Sequence, residues 1–205
     1  MTVAVDLSLL AAALHGTDPK AQNDAVAAAI DAGAEAVPAL LLLFAEPEVA
    51  RHQIVYALER IGDARAVAVF EAGLDDTDER VRAYAARGLA GIGHPGALAA
   101  LLAKLNDAAD PLHLDRTPAV DALAGFGLDA VGPLLERMLD DDAMTRLHAQ
   151  RALQLIVAQR LRGVSAETLR TTWQQRGDYA WDAHPGPRRA AVEAWRTWLD
   201  EQRKS

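Results

Sequence analysis

The feature that most constrains this chain is a self-similarity with a period of about 30 residues. A glycine separates two apolar, helix-periodic segments at Gly33, Gly62, Gly93 and Gly127, in steps of 29, 31 and 34 residues. Before three of these glycines run Ala57-Leu58-Glu59-Arg60-Ile61, Gly88-Leu89-Ala90-Gly91-Ile92 and Ala122-Leu123-Ala124-Gly125-Phe126. The Leu and the Ile or Phe are three apart, on one face of a helix. After the glycines run Ala36-Val37-Pro38-Ala39-Leu40-Leu41, Ala66-Val67-Ala68-Val69-Phe70, Ala97-Leu98-Ala99-Ala100-Leu101-Leu102 and Ala130-Val131-Gly132-Pro133-Leu134-Leu135. One such helix pair cannot bury its apolar face alone, so neighbouring pairs must stack.

Acidic turns separate the pairs: Glu46-Pro47-Glu48, Asp75-Asp76-Thr77-Asp78, Asn106-Asp107 and Asp140-Asp141-Asp142. Asp and Thr there cap the next helix, and negative charge suits its positive end. Four pairs fill residues 17–142. A fifth runs from Asp142 to about Gln175, split at Gly163, with Ser165 as the next N-cap. A helix from about Val5 to Leu14 would cap one end. A helix from Arg188 to Gln202, approached through Pro185-Gly186-Pro187, would cap the other, with Trp195 and Trp198 on one face against the last pair. The expected fold is all-α, a right-handed solenoid of about five helix pairs with helical caps. It forms one domain over 1–205, divided into a cap (1–16), helix pairs (17–177) and a loop with the closing helix (178–205).

The stretch Asp78-Glu79-Arg80-Val81-Arg82-Ala83-Tyr84-Ala85-Ala86-Arg87-Gly88-Leu89-Ala90-Gly91-Ile92-Gly93 resembles HEAT-like repeats of the bacterial type also found in phycobilin lyases. The resemblance covers about residues 17–160. It implies a HEAT-like fold and is nearly silent on function, because such repeats serve scaffolds, lyases, DNA-lesion glycosylases and regulators alike.

Composition narrows the classes. There is no cysteine, which removes disulfides, thiolate metal sites and a Cys nucleophile. No run of 18 or more apolar residues occurs, and the start of the chain lacks a basic segment and carries Asp6. A soluble, cytoplasmic protein with no membrane partner is expected. The net charge of -8 is uneven. Residues 1–142 hold 10 Lys/Arg and 23 Asp/Glu, whereas 143–205 hold 11 and 6, together with all four tryptophans. The acidic repeats disfavour nucleic acid.

An arginine column is the most regular polar feature. Arg51, Arg82, Arg116 and Arg146 each precede a repeat Leu by seven residues, two helical turns. Asp78 and Asp142 stand four residues before Arg82 and Arg146, the spacing of a helix-face ion pair. The expected role is a structural ladder between repeats, with an anion-binding row as the alternative. A Thr117 N-cap with Pro118 at the first helical position would leave Arg116 outside its helix. The six histidines are scattered without ligand spacing, and no nucleophile motif or phosphate loop occurs around Ser8, Ser165 or the glycines. No catalytic residue, metal site or cofactor is assigned. Gly73 falls where other pairs carry Leu43 or Lys104, with no account from the sequence.

The reading is a non-catalytic scaffold or adaptor. Its second helices present Pro38, Leu42, Ala68, Ala72, Ala99, Ala103, Gly132 and Glu136 on a concave face to a protein or peptide. The acidic rim favours a basic segment. In the run Leu40-Leu41-Leu42-Leu43-Phe44, Leu42 is expected to be covered by the N-terminal helix, with an exposed partner patch as the alternative. A lyase- or carrier-like protein binding a small ligand is the second reading. A DNA-lesion binder using the Arg- and Trp-rich end is the third.

Overall fold

A computed structural model of the chain describes residues 7–107, 117–161 and 165–204. These residues form an all-α structure without strands. The helices are α1 (Leu7–His15), α2 (Pro19–Ala32), α3 (Val37–Phe44), α4 (Arg51–Ile61), α5 (Val67–Gly73), α6 (Glu79–Gly91), α7 (Ala97–Ala103), α8 (Pro118–Ala124), α9 (Leu128–Arg137), α10 (Ala143–Arg160), α11 (Ala166–Gln174) and α12 (Pro185–Lys204). They follow the pairing seen in the sequence: α2–α3, α4–α5, α6–α7, α8–α9 and α10–α11, with α1 and α12 outside the pairs.

Local chemistry sets the boundaries. Asp18, Asp78, Thr117, Asp142 and Ser165 are extended N-cap residues whose side chains accept from backbone N–H groups of the first turn. At the other end of α4, Gly62 adopts the left-handed conformation (φ 70°, ψ 28°) and its N–H returns to Leu58 O at 2.9 Å. Gly33, Gly93 and Gly127 also have positive φ, at 60°, 66° and 55°. The recurring glycine therefore marks a backbone need that other residues meet only with strain.

The chain divides into two compact units, Met1–Ala97 and Leu98–Ser205. In the first, α1 packs on α2, α2 on α4, and both α4 and α5 on α6. Leu14, Leu40, Ile54, Leu58, Phe70 and Leu89 are its large buried side chains. Gly73 gains its explanation here, since a Cβ on it would stand 2.9 Å from Ala85 Cβ. A Cβ on Gly88 would stand 2.5 Å from the Phe70 ring. The two glycines let α5 and α6 approach closely. In the second unit, α8 and α9 pack on α10, and α12 packs on α9. Leu123, Leu134, Leu135, Leu153 and Trp195 fill its core.

Two expectations are corrected. The closing helix starts at Pro185 rather than Arg188. Proline suits a first helical turn, and Arg188 N–H already donates to His184 O at 3.2 Å. Leu42 is not covered by the N-terminal helix, for it is 72% exposed. Successive helical residues turn by about 100°, so Leu40 and Leu43 take the core face and Leu42 points away from it. The N-terminal helix engages elsewhere, where Leu14 O accepts from Ala50 N at 2.9 Å.

Candidate partner-binding site

In the first unit, Pro38 and Leu42 on α3 and Ala68 and Ala72 on α5 are exposed, with Glu71 exposed beside Ala72. Both pairs have i,i+4 spacing, so each lies along one line of its helix. In the second unit, Ala99 and Ala103 on α7 are exposed with the same spacing. At α9 the face differs. Glu136 is bound by Arg196 of α12, and a Cβ on Gly132 would stand 3.9 Å from Leu199 Cδ2. Gly132 and Glu136 thus both contact the closing helix, and Glu136 stays exposed. The closing helix α12 packs directly on α9.

The described arginines of the column engage the acidic turns, through carbonyls as well as a carboxylate. Arg82 Nη1 donates to Asp76 O (2.7 Å) and Thr77 O (3.0 Å). Arg146 Nη1 donates to Asp140 O (2.8 Å) and Asp141 O (2.7 Å), and its Nε donates to Trp181 O at 2.8 Å. Each therefore grips the carbonyls of the turn that leads into its own helix. Asp78 pairs with Arg80 at 2.7 Å, and Asp142 caps Thr145 N at 2.8 Å. Helix-cap geometry explains this, because a capping carboxylate is already turned toward the first-turn N–H groups. Arg51 reaches forward to the Asp76 carboxylate at 2.7 Å. Arg116 lies outside the described residues. Hydrogen bonding from Thr145 holds the Asp142 carboxyl below the usual range, and the Arg80 side chain does the same for Asp78.

A polar knot that no sequence motif signals sits at the start of α10. Asn106 Nδ2 donates to Asp142 Oδ2 (2.9 Å) and Thr145 Oγ1 (2.8 Å). Its Oδ1 lies 2.8 Å from Nδ1 of the fully buried His148. The partners are up to 42 residues apart, and no helical period reaches that far.

The tryptophans pack as a cap. Trp195 is fully buried, with ring centroids 4.9 Å from Trp173 and 5.2 Å from Trp198. The Arg176 guanidinium lies over the rings of Trp195 and Trp198, 5.4 and 5.9 Å from their centroids. Trp173 Nε1 donates to Tyr179 O at 3.0 Å. Beside this cluster, α10 and α11 line an open cleft of about 580 Å³. Leu155, Val157, Ala158, Leu169 and Trp173 give it apolar walls, with Arg151, Arg170 and Asp178 also lining it.

Residues 69–154 match the family model described as HEAT repeats. Residues 50–76 match the PBS lyase HEAT-like repeat. Among curated proteins, none matches the sequence. Similar solved structures include the complex of CpcE and CpcF of phycocyanin lyase from a Nostoc species, at 24% identity over 92% of this chain and 97% of that one, with a TM-score of 0.40. An engineered protein is 20% identical over 94% and 97%, with a TM-score of 0.47. A designed armadillo repeat protein is 21% identical over 92% and 99%, with a TM-score of 0.38.

Proposed function

This chain carries HEAT repeats within residues 50–154, and from that premise we propose that it is a non-catalytic adaptor whose second helices dock a segment of a protein partner. The observation that carries this reading is Leu42, a leucine 72% exposed on the same helix line as Pro38. A large apolar side chain held in water on a rigid helix is a ready anchor for a partner. Ala68 and Ala72 leave a shallow surface at equivalent positions of the next pair, and Glu71 adds negative charge. A partner segment with an apolar anchor and flanking Lys or Arg fits that chemistry. The test compares partner capture by the wild-type chain with capture by Leu42→Asp and Ala72→Arg variants of unchanged melting midpoint. Loss of the same partner from both supports the reading, and an unaltered captured set removes it.

A second reading has one observation in its favour. The cleft between α10 and α11 has the size and apolar walls of a small-molecule site. A carrier of a small ligand would use it, with Arg170 among its polar walls. Saturable uptake of apolar acids, lost on Leu169→Asp, would favour this reading over docking on α3 and α5.

A further inference from the structure

The last helix pair leaves an apolar face half uncovered. Helix α11 has nine residues, and none of them is fully buried. Its large apolar side chains, Leu169 and Trp173, stand four apart on one line and are only half-buried. A helix this short is marginal in water and depends on packing of its apolar face. On α10, Leu155 and Ala158 are three apart and half-buried as well. These four residues line the open cleft of about 580 Å³ between the two helices. The end of α11 is pinned. Trp173 Nε1 donates to Tyr179 O at 3.0 Å, and Asp178 N–H donates to Trp173 O at 3.2 Å. A Cβ on Gly177 would stand 2.9 Å from Ala191 Cα of α12. The apolar wall of α11 is therefore held in place beside the cleft.

The charge around the cleft is positive. Residues 143–174 hold five arginines and one acid, Glu167. Arg146 donates to the carbonyls of Asp140, Asp141 and Trp181, and Arg160 to the Gln202 side chain, so these bonds cancel no charge. Arg151 and Arg170 line the cleft together with a single acid, Asp178.

We propose that this cleft docks an acidic amphipathic helix of a protein partner, with its Leu or Phe side chains between Leu155, Ala158, Leu169 and Trp173. The groove between two helices takes the ridge of side chains on a third. The cleft has room for several large side chains, and Glu or Asp on the flanks of the incoming helix meets the arginine-rich rim. The proposal extends the adaptor reading, on which it rests for a protein partner. It adds a docking surface wholly within the second unit, with a charge preference opposite to that of the α3 and α5 face.

The full chain is titrated with a labelled peptide of about five helical turns that carries Leu at helical spacing on one face and Glu on the other. The same peptide with Lys for Glu, a scrambled Glu peptide, a DNA duplex and dodecanoate are the comparison probes. The readouts are fluorescence anisotropy and peptide ellipticity. The expected result is saturable binding of the Glu peptide with a gain in helix, about tenfold tighter than the Lys peptide at low salt and less so at high salt. Leu169→Asp weakens it about tenfold or more. Arg170→Glu removes the preference for Glu over Lys, and Leu42→Asp changes neither, which separates this cleft from the α3 surface. Tighter binding of the Lys peptide, equal binding of the scrambled peptide, displacement by DNA, or unaltered affinity in Leu169→Asp overturns the proposal. Saturable dodecanoate binding without binding of any peptide overturns it in favour of the small-ligand reading. Should Leu169→Asp fail to fold, an unchanged preference for Glu in the exposed Arg170→Glu variant overturns it equally.

Discussion

The Phe70 ring occupies the space that a Cβ on Gly88 would need, with ring atoms 2.5 and 2.8 Å from that position. Phe70 is fully buried, so the ring has no solvent to retreat into. Gly88→Ala should therefore destabilise the first unit by about 1–3 kcal/mol through overpacking, against a gain of about 1 kcal/mol in helix propensity. Urea melts check the net loss. Phe70→Leu in the same chain should recover part of it, and a Gly88→Ala chain more stable than the parent would show that the ring yields freely.

Leu89 is 1% exposed at the next position of α6. Leu89→Ala removes a core side chain and leaves a cavity, and the expected cost is about 2–5 kcal/mol. A urea midpoint that moves by less than 1 kcal/mol equivalent would mean the surroundings collapse into the space. Because repeats stabilise one another through their interfaces, the loss should spread to α4 and α5. Hydrogen exchange along both helices would record it.

Arg82 and Arg146 each bridge two carbonyls of the preceding turn. Replacing either by Ala leaves those oxygens without a charged donor, and a loss of about 1–3 kcal/mol is expected. Partner binding on α3 and α5 should survive. A variant that keeps its melting midpoint but loses binding would reassign the column to recognition.

Acid should weaken the fold through its caps. Hydrogen bonds from the Arg65 side chain, then from its backbone N–H, pull the Asp63 carboxyl down from 3.8 to about 2. Asp142 is lowered by Thr145. A carboxyl depressed on folding contributes stability that is complete above its unfolded value and disappears as pH falls through the folded one. For Asp63 that window runs from about 3.8 down through about 2. Melting midpoints measured at intervals from pH 5 to pH 2 should fall across it. Asp63→Asn and Asp142→Asn should each flatten that fall, and an undiminished slope in both would place the acid sensitivity elsewhere.

Among the described residues, helix pairing and most boundaries follow from local chemistry, and for that reason they were legible in the chain itself. Gly62 and its equivalents signal a positive φ, Asp18, Asp78 and Ser165 signal caps, and Leu58, Leu89 and Leu123 mark the buried line with helical spacing. The exposed positions Pro38, Ala68, Ala72, Ala99 and Ala103 were readable for the same reason, as the remaining face of a helix whose other face is apolar. Contacts between distant residues were not. Periodicity says which way a side chain points along its own helix, and it is silent about what waits there. Only packing decided that Arg82 and Arg146 would grip turn carbonyls, that Asn106 would meet His148, and that Arg196 would engage Glu136. Packing likewise left Leu42 in water, because a helix has too few buried directions for five consecutive apolar residues. It also gave Gly73 and Gly88 their purpose, since the need for a missing side chain appears only when a second helix arrives.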